Sequence, residues 1–520
     1  MSFSALRPRL APLLLTALLA GCMVGPDYEG PPTVASGAQG GAPFRRIGDL
    51  ATQPPEVDAG WWRAFNDPSL DRLIEQALAN SPSIAIAEAR LRQSRATLRE
   101  QQANLLPSVS ANASYLRYRL PPLGLGQGAG GGGQPSGGQG DGGAPNGGSG
   151  GTGSSTEGGG GGSTSGGLWS GGFDASWEID LFGARRRQRD QAQAQAEAAE
   201  ARVADAQVSL AAEVAQAYID LRGQQQQMVY AMQSTRFDQQ SLALTEQMFA
   251  RGAASREDVA RLRTQLAQTK SQEKPLSAQV EQSLNRIAVL IGREPGFVDA
   301  DLARVAPVPR VPARVPVENP AAMLRRRPDI RAAERQIAAT TAQVGATTAQ
   351  MFPTVSLLGF IGLGGPSLGD LSPSDFAAIG TPMLRWNFLD FGRIRAQIRQ
   401  AEAGRDEALA QYQQTVLQAL QDAEDALSTF RGQRSALSER LAADRAATLA
   451  AELVRQRYAQ GAVSLIDLLD SQRQQNKARQ QRAQSEAQVA NGYIAIAKSL
   501  GLGWRSPQSD TPSSMPPTAK

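Results

Sequence analysis

The sequence predicts a mixed α and β membrane protein, built from very long helices and a few alternating strands and written twice in tandem. Three observations carry this: an export signal with no later run apolar enough for a membrane helix, an internal repeat, and two-residue alternation beside unbroken helix-forming segments. A membrane protein without membrane helices must cross as a closed β-barrel, or not cross at all, because a lipid-exposed backbone has no water to bind.

The amino terminus sets the compartment. Arg7 and Arg9 precede the apolar run Leu10 to Ala20, which ends in Leu19-Ala20-Gly21-Cys22. The run is too short to span a bilayer and reads as a cleaved signal over residues 1–21. Leu-Ala-Gly-Cys resembles the bacterial lipobox, whose cysteine is acylated and becomes the mature amino terminus. Residue 23 is Met rather than Asp, which in such signals implies passage to the outer membrane.

Composition excludes several chemistries. Cys22 is the single cysteine of the 520 residues and there is no histidine, which removes disulfides within the chain, Cys-based metal sites and Ser-His-Asp or Cys-His catalysis. Loss of the signal takes two arginines with it and lowers the formal charge from +4 to +2. No basic patch with interleaved aromatics suggests nucleic acid, and no nucleotide-binding loop is visible.

The duplication is legible at two offsets. Pro82-Ser-Ile84…Glu88 matches Pro328-Asp-Ile330…Glu334, and Pro107-Ser-Val109-Ser110 matches Pro353-Thr-Val355-Ser356, 246 residues on. From Trp177…Gly183, matching Trp386…Gly392, the offset is 209 and holds without a gap through Gly252 and Gly461, Asp258 and Asp467, and Gly292 and Gly501. The 37-residue excess in the first copy falls in a low-complexity stretch, 121–167, in which 24 of 47 residues are glycine. Such a stretch cannot bury enough apolar surface to offset its ordering entropy and reads as a flexible loop. The organisation is therefore signal 1–21, an amino-terminal lipidated segment 22–66, first repeat 67–292, linker 293–319, second repeat 320–504 and a disordered tail 505–520.

Strands are expected at about 107–118 and 168–181, and at about 353–363 and 381–391 around a shorter loop, 364–380. In the first hairpin Trp169, Gly171, Phe173, Ala175 and Trp177 alternate with Ser170, Gly172, Asp174 and Ser176. A soluble, half-buried hairpin has the same period as a membrane strand; the export signal favours the membrane. Trp177 and Trp386 suit an interfacial aromatic belt or a packed core. Helices are expected from about 184 to 250 and from about 394 to 459, proline-free and rich in Ala, Gln, Arg, Glu and Leu. Each is on the order of 100 Å long and requires coiled-coil-like packing. Gly252 and Gly461 end them at the tips of helical hairpins.

These residues resemble the TolC-like outer-membrane factors, in particular the lipoprotein (NodT-type) branch that serves resistance–nodulation–division efflux. The matching stretches are Cys22-Met-Val-Gly-Pro-Asp-Tyr28, Trp61-Trp62-Arg-Ala-Phe65-Asn-Asp67-Pro68, Trp177-Glu-Ile-Asp-Leu-Phe-Gly183 and Arg457-Tyr458-Ala-Gln-Gly461. The resemblance implies a homotrimeric tube: a 12-stranded β-barrel, four strands per chain, continuous with a periplasmic α-helical barrel. Strand arithmetic agrees, since closed membrane barrels begin at about eight strands and one chain supplies four.

The resemblance further implies a passive exit duct for small molecules or drugs, a covalent lipid on Cys22 with no other cofactor, and no enzymatic role. Its expected partners are outer-membrane lipid, a periplasmic adaptor and an inner-membrane pump. Gly252, Ser255, Gly461 and Ser464 match adaptor-docking turns, Asp467 and Asp470 a carboxylate constriction, and Asp258 and Tyr458 the surrounding gate contacts. The family's basic residue two places beyond the tip glycine is Val463 here, so the closing network must differ. A type I protein-secretion duct and a poreless coiled-coil lipoprotein are the competing readings; the four alternating segments count against the second. Because the second hairpin is made with 37 fewer residues, removing about residues 125–161 is expected to leave assembly and efflux intact, read out by trimer yield and drug sensitivity.

Overall fold

The computed structural model describes residues 23–50, 52–53, 60–120, 164–312, 314–365 and 376–504. Cys22, the signal, most of the Gly-rich loop and the 505–520 tail lie outside the described residues. The chain divides into two compact units: a strand unit of 104–180 and 353–386, and a helical unit of 1–103, 181–352 and 387–520. Each unit takes segments from both repeats, so the sequence repeat is not the packing unit.

The strand unit is one antiparallel sheet in the order β1 (Ser108–Leu120), β2 (Thr164–Ile179), β3 (Thr354–Gly365) and β4 (Phe376–Arg385). Its register aligns Ala111, Phe173, Ile361 and Ala378 in one row, and Val109, Ala175, Gly359 and Gly380 in another. These rows make one face apolar across all four strands. On the opposite face β1 and β2 carry Ser110, Asn112, Ser114, Ser170 and Asp174, with Asn112 hydrogen-bonded to Asp174 and the Ser114 and Ser170 hydroxyls 2.8 Å apart. There β3 and β4 present Leu358, Phe360 and Ile379 instead. The Phe360 ring lies over two glycines: a Cβ on Gly172 would sit 3.0 Å from it, and one on Gly362 2.5 Å.

The fourth strand differs from expectation. It runs over 376–385 rather than 381–391, because β3 begins at Thr354, which pairs with Arg385, and leaves nothing to oppose later residues. The following Asn387-Phe-Leu-Asp-Phe-Gly392 is a turn in which the Asp390 carboxylate accepts from the Gly392 and Ile394 amides at 3.1 and 2.6 Å. β2 likewise stops at Ile179 and begins earlier than expected, at Thr164.

The helical unit holds α1 (Pro68–Asn80), α2 (Pro82–Ala103), α3 (Ala184–Ala250), α4 (Arg256–Leu290), α5 (Pro328–Ala349), α6 (Arg393–Ala459) and α7 (Leu465–Ser499), with shorter turns between. The long helices α3 and α6 each have 67 residues, and the returning helices α4 and α7 each have 35. None of the described helices is long and apolar enough to cross a membrane. α3 packs against α2, α4, α5 and α7, whereas α6 packs chiefly against α5 and α7. Close approach is possible because the α3 faces are lined with Ala; a Cβ on Gly223 would lie 2.9 Å from the Ala487 methyl carbon.

The largest buried side chains gather where the short 3-10 turn Trp61–Phe65 meets α1, α3, α6 and α7. Phe65 stands edge-on to Tyr493 at 5.3 Å, and Phe430 and Trp61 flank the same ring at 6.4 and 6.5 Å. Asp67 caps α1 by accepting from the Ser69 and Leu70 amides, and its second oxygen accepts from the Tyr218 hydroxyl at 2.7 Å. Burial first, and then the bond to Asp67, push the Tyr218 phenol up to about 12. The Trp61 to Pro68 motif thus fastens the amino-terminal segment to α3. Replacing Tyr218 with Phe removes a hydrogen bond to a charged acceptor, so a loss of about 1.5–3 kcal/mol is expected, read as a lower thermal midpoint of the detergent-solubilised protein.

Candidate functional site

The sequence singled out the two helical hairpin tips, and both are built the same way. α3 ends as the Gly252 amide donates to Phe249 O (2.9 Å) and the Ala253 amide to Met248 O (2.8 Å). At the other tip the Gly461 amide donates to Tyr458 O and the Ala462 amide to Arg457 O, each at 2.9 Å. Both glycines have left-handed backbones, φ +76° and +72°, which a side chain would strain. Both are exposed with open space around them, so each is at once a helix terminator and an accessible surface.

Two residues beyond the turn proper, a serine starts the returning helix. Asp258 accepts from the Ser255 amide (3.1 Å) and hydroxyl (2.7 Å), while the Asp258 amide donates back to Ser255 Oγ (3.0 Å). Asp467 does the same with Ser464 at 3.0, 2.6 and 3.2 Å. These are reciprocal capping boxes, and they satisfy amides that a helix start would otherwise leave unpaired. The Ser-x-x-Asp spacing was visible in the sequence, which assigned its serines to docking and its aspartates to the gate; the local geometry gives each a helix-capping role as well.

The capping hydroxyls, followed by the serine amides, hold the Asp258 and Asp467 carboxyls below the usual carboxylate range. Both are therefore ionised at neutral pH. Asp258 also receives Arg261 at 3.4 Å. Tyr458 lies exposed on the last turn of α6, and the Asp258 hydrogen bonds run to Ser255 and Arg261 rather than to it.

Asp470 lies one turn beyond Asp467 and is hydrogen-bonded to Arg473. Arg473 also reaches the buried Asp238 of α3 at 3.6 Å, and Asp238 accepts from the Thr269 hydroxyl of α4 at 2.6 Å. Arg473 thus joins Asp470, three residues before it on α7, to Asp238, which lies far away in sequence on α3. A second buried aspartate, Asp444 of α6, is held by Arg482 of α7 at 2.7 Å. α7 is bound by ion pairs to the long helices on both of its sides. Among the described residues no group of three or more acidic, Cys or His side chains is placed to hold a metal.

Comparison with known proteins places this geometry. The family model described as "Outer membrane efflux protein" matches residues 73–293 and 319–502. Nodulation protein T of Rhizobium leguminosarum bv. trifolii is 29% identical over 497 residues, covering 94% of this chain and 96% of the relative. The pyoverdine export outer membrane protein OpmQ of Pseudomonas putida is 30% identical over 464 residues, covering 88% and 90%. The solved structure of the outer-membrane channel OprN superposes with a TM-score of 0.78 at 33% identity, covering 93% of this chain and 100% of OprN.

Because the capping boxes depend on ionised carboxylates with depressed titration, their stabilisation is present above the unfolded value near ~4 and is lost as pH falls through the folded value. Ser464→Ala is expected to cost about 1 kcal/mol locally. Protection factors in the first turn of α7, taken relative to the intrinsic exchange rate at each pH, should fall in that variant at neutral pH and in the unsubstituted protein below about pH 4.

Proposed function

This chain belongs to the outer membrane efflux protein family, and from that premise we propose that three copies of it close into a passive exit duct. The chain is the outer-membrane channel component of an efflux system. The observation that carries the trimer is the sheet: four strands, one face apolar in its rows from Val109 to Ala113, and β1 and β4 at its two edges. An open edge in lipid leaves amides and carbonyls unpaired, so β4 of one copy pairs with β1 of the next, giving twelve strands. The helical unit supports the same closure. α6 exposes Leu417, Leu449 and Leu453 on one flank, while α2 buries only Ile84 within the chain and exposes Ile86.

In that assembly the hairpin tips around Gly252 and Gly461 meet a periplasmic adaptor, and an inner-membrane resistance–nodulation–division pump supplies the energy and selects the small molecules or drugs. Cys22 carries the lipid. The carboxylates of Asp467 and Asp470, repeated threefold, line the periplasmic constriction, and Asp258 and Tyr458 border it. Threefold carboxylates in a narrow passage favour cations.

A planar bilayer tests the constriction. Asp467→Asn keeps an acceptor for the helix cap while removing charge, and Asp470→Asn also leaves Arg473 without that carboxylate. The unsubstituted channel is expected to be cation-selective, and the double variant to shift measurably toward anions. Identical reversal potentials for the two would leave both residues as ordinary surface acids.

A further inference from the structure

Residues Met23 to Tyr28 follow the proposed acylation site directly, and they are docked. The Val24 amide donates to Phe182 O at 3.2 Å. Met23 packs on Gly183, where a Cβ would lie 2.7 Å from the Met23 side chain. One turn into α3, Arg187 is 4% exposed. Its Nε donates to Val24 O and its Nη2 to Gly25 O, both at 3.3 Å, and its Nη1 lies 2.8 Å from the Asp27 carboxylate.

Two glycines make room for this. The strap crosses α5 where Gly25, φ +89°, meets Gly345: a Cβ on Gly25 would sit 2.5 Å from the Gly345 Cα. A Cβ on Gly345 would in turn lie 2.7 Å from Arg187 Nε. Glycine inside a helix is disfavoured unless a close approach requires it, and here two approaches do. Further along, the Tyr28 hydroxyl donates to Glu334 of α5 at 3.2 Å, and the Arg335 guanidinium lies over the Tyr28 ring at 5.5 Å. Arg335 also pairs with Glu197 of α3 at 3.3 Å.

A buried guanidinium is costly unless its donors are satisfied. Arg187 is oriented so that all three of its side-chain nitrogens reach the strap; with the strap displaced it would lose each of those partners while still packed among α3 and α5. We propose that Arg187, with the Gly25–Gly345 crossing, is a docking site for the amino-terminal strap Met23–Tyr28. The strap is then a fixed connector between the lipid on Cys22 and the helical unit, and it staples α3 of the first repeat to α5 of the second. Arg187 is a positioning residue, and only the strap's part as a connector to the lipid rests on the reading of Cys22 as the lipid site.

The test uses the full-length protein purified from outer membranes, with amide exchange followed on peptides covering Val24–Tyr28 and on α3 and α5. A palmitate-analogue label reports on Cys22 in parallel. Arg187→Ala should accelerate exchange in the strap at least tenfold, with labelling retained and the interior of α3 and α5 still protected. Gly345→Leu, which raises helix propensity but fills the crossing, should do the same, and it decides the matter should Arg187→Ala lose the fold. Strap exchange unchanged by Gly345→Leu, or already at the unstructured rate without substitution, overturns the proposal. Absence of label in the unsubstituted protein refutes the lipid reading alone, because the exchange result stands without it.

Discussion

Inside a bilayer a backbone amide or carbonyl can bond only to protein, and four strands in an open sheet cannot meet that demand by themselves. β1 and β4 each present one edge with no partner strand among the described residues, and the rows through Phe173 and Ile361 present an apolar face. Everything else in the molecule is compatible with this incompleteness. The helical unit has its own unfinished flanks on α2 and α6, so strands and helices call for closure by further copies in the same manner.

The duplication supplies the parts, and packing then mixes them. β2 of the first repeat pairs with β3 of the second, and α3 of the first lies against α5 and α7 of the second. Once interleaved, equivalent positions no longer share an environment and can diverge. Asp238 is buried against Thr269 and Arg473, but its counterpart at the 209-residue offset is Ala447. Asp444 is buried against Arg482, and its counterpart is Thr235. The first ion pair joins the two hairpins and the second lies within the second hairpin, although the two tips are closed by identical capping chemistry.

That shared chemistry bears on how the tip aspartates are read. Asp467 is bound to Ser464, and Asp470 to Arg473, so neither is a free surface acid. A carboxylate that caps a helix remains charged, and the fixed orientation imposed by the cap is what a constriction requires. Structural and functional roles at these positions are therefore compatible, and a neutral, cap-preserving substitution separates them.

The sequence alone determined the duplication, the strand and helix content, and the extents of α3 and α6 to within a residue, because long proline-free runs and tip glycines are local signals. It singled out Ser255 and Ser464 as docking residues, and the structure added their capping of Asp258 and Asp467. It misplaced the last strand, since alternation through Trp386 and Phe388 continues past the point where β3 stops supplying a partner. Strand ends are set by the opposing strand, which no local pattern reveals. The links from Arg473 to Asp238 and from Arg187 to the strap lay equally out of reach. Each joins residues far apart along the chain, and only tertiary packing, by burying an arginine beside a particular carboxylate or carbonyl, decided which of many arginines would carry the contact.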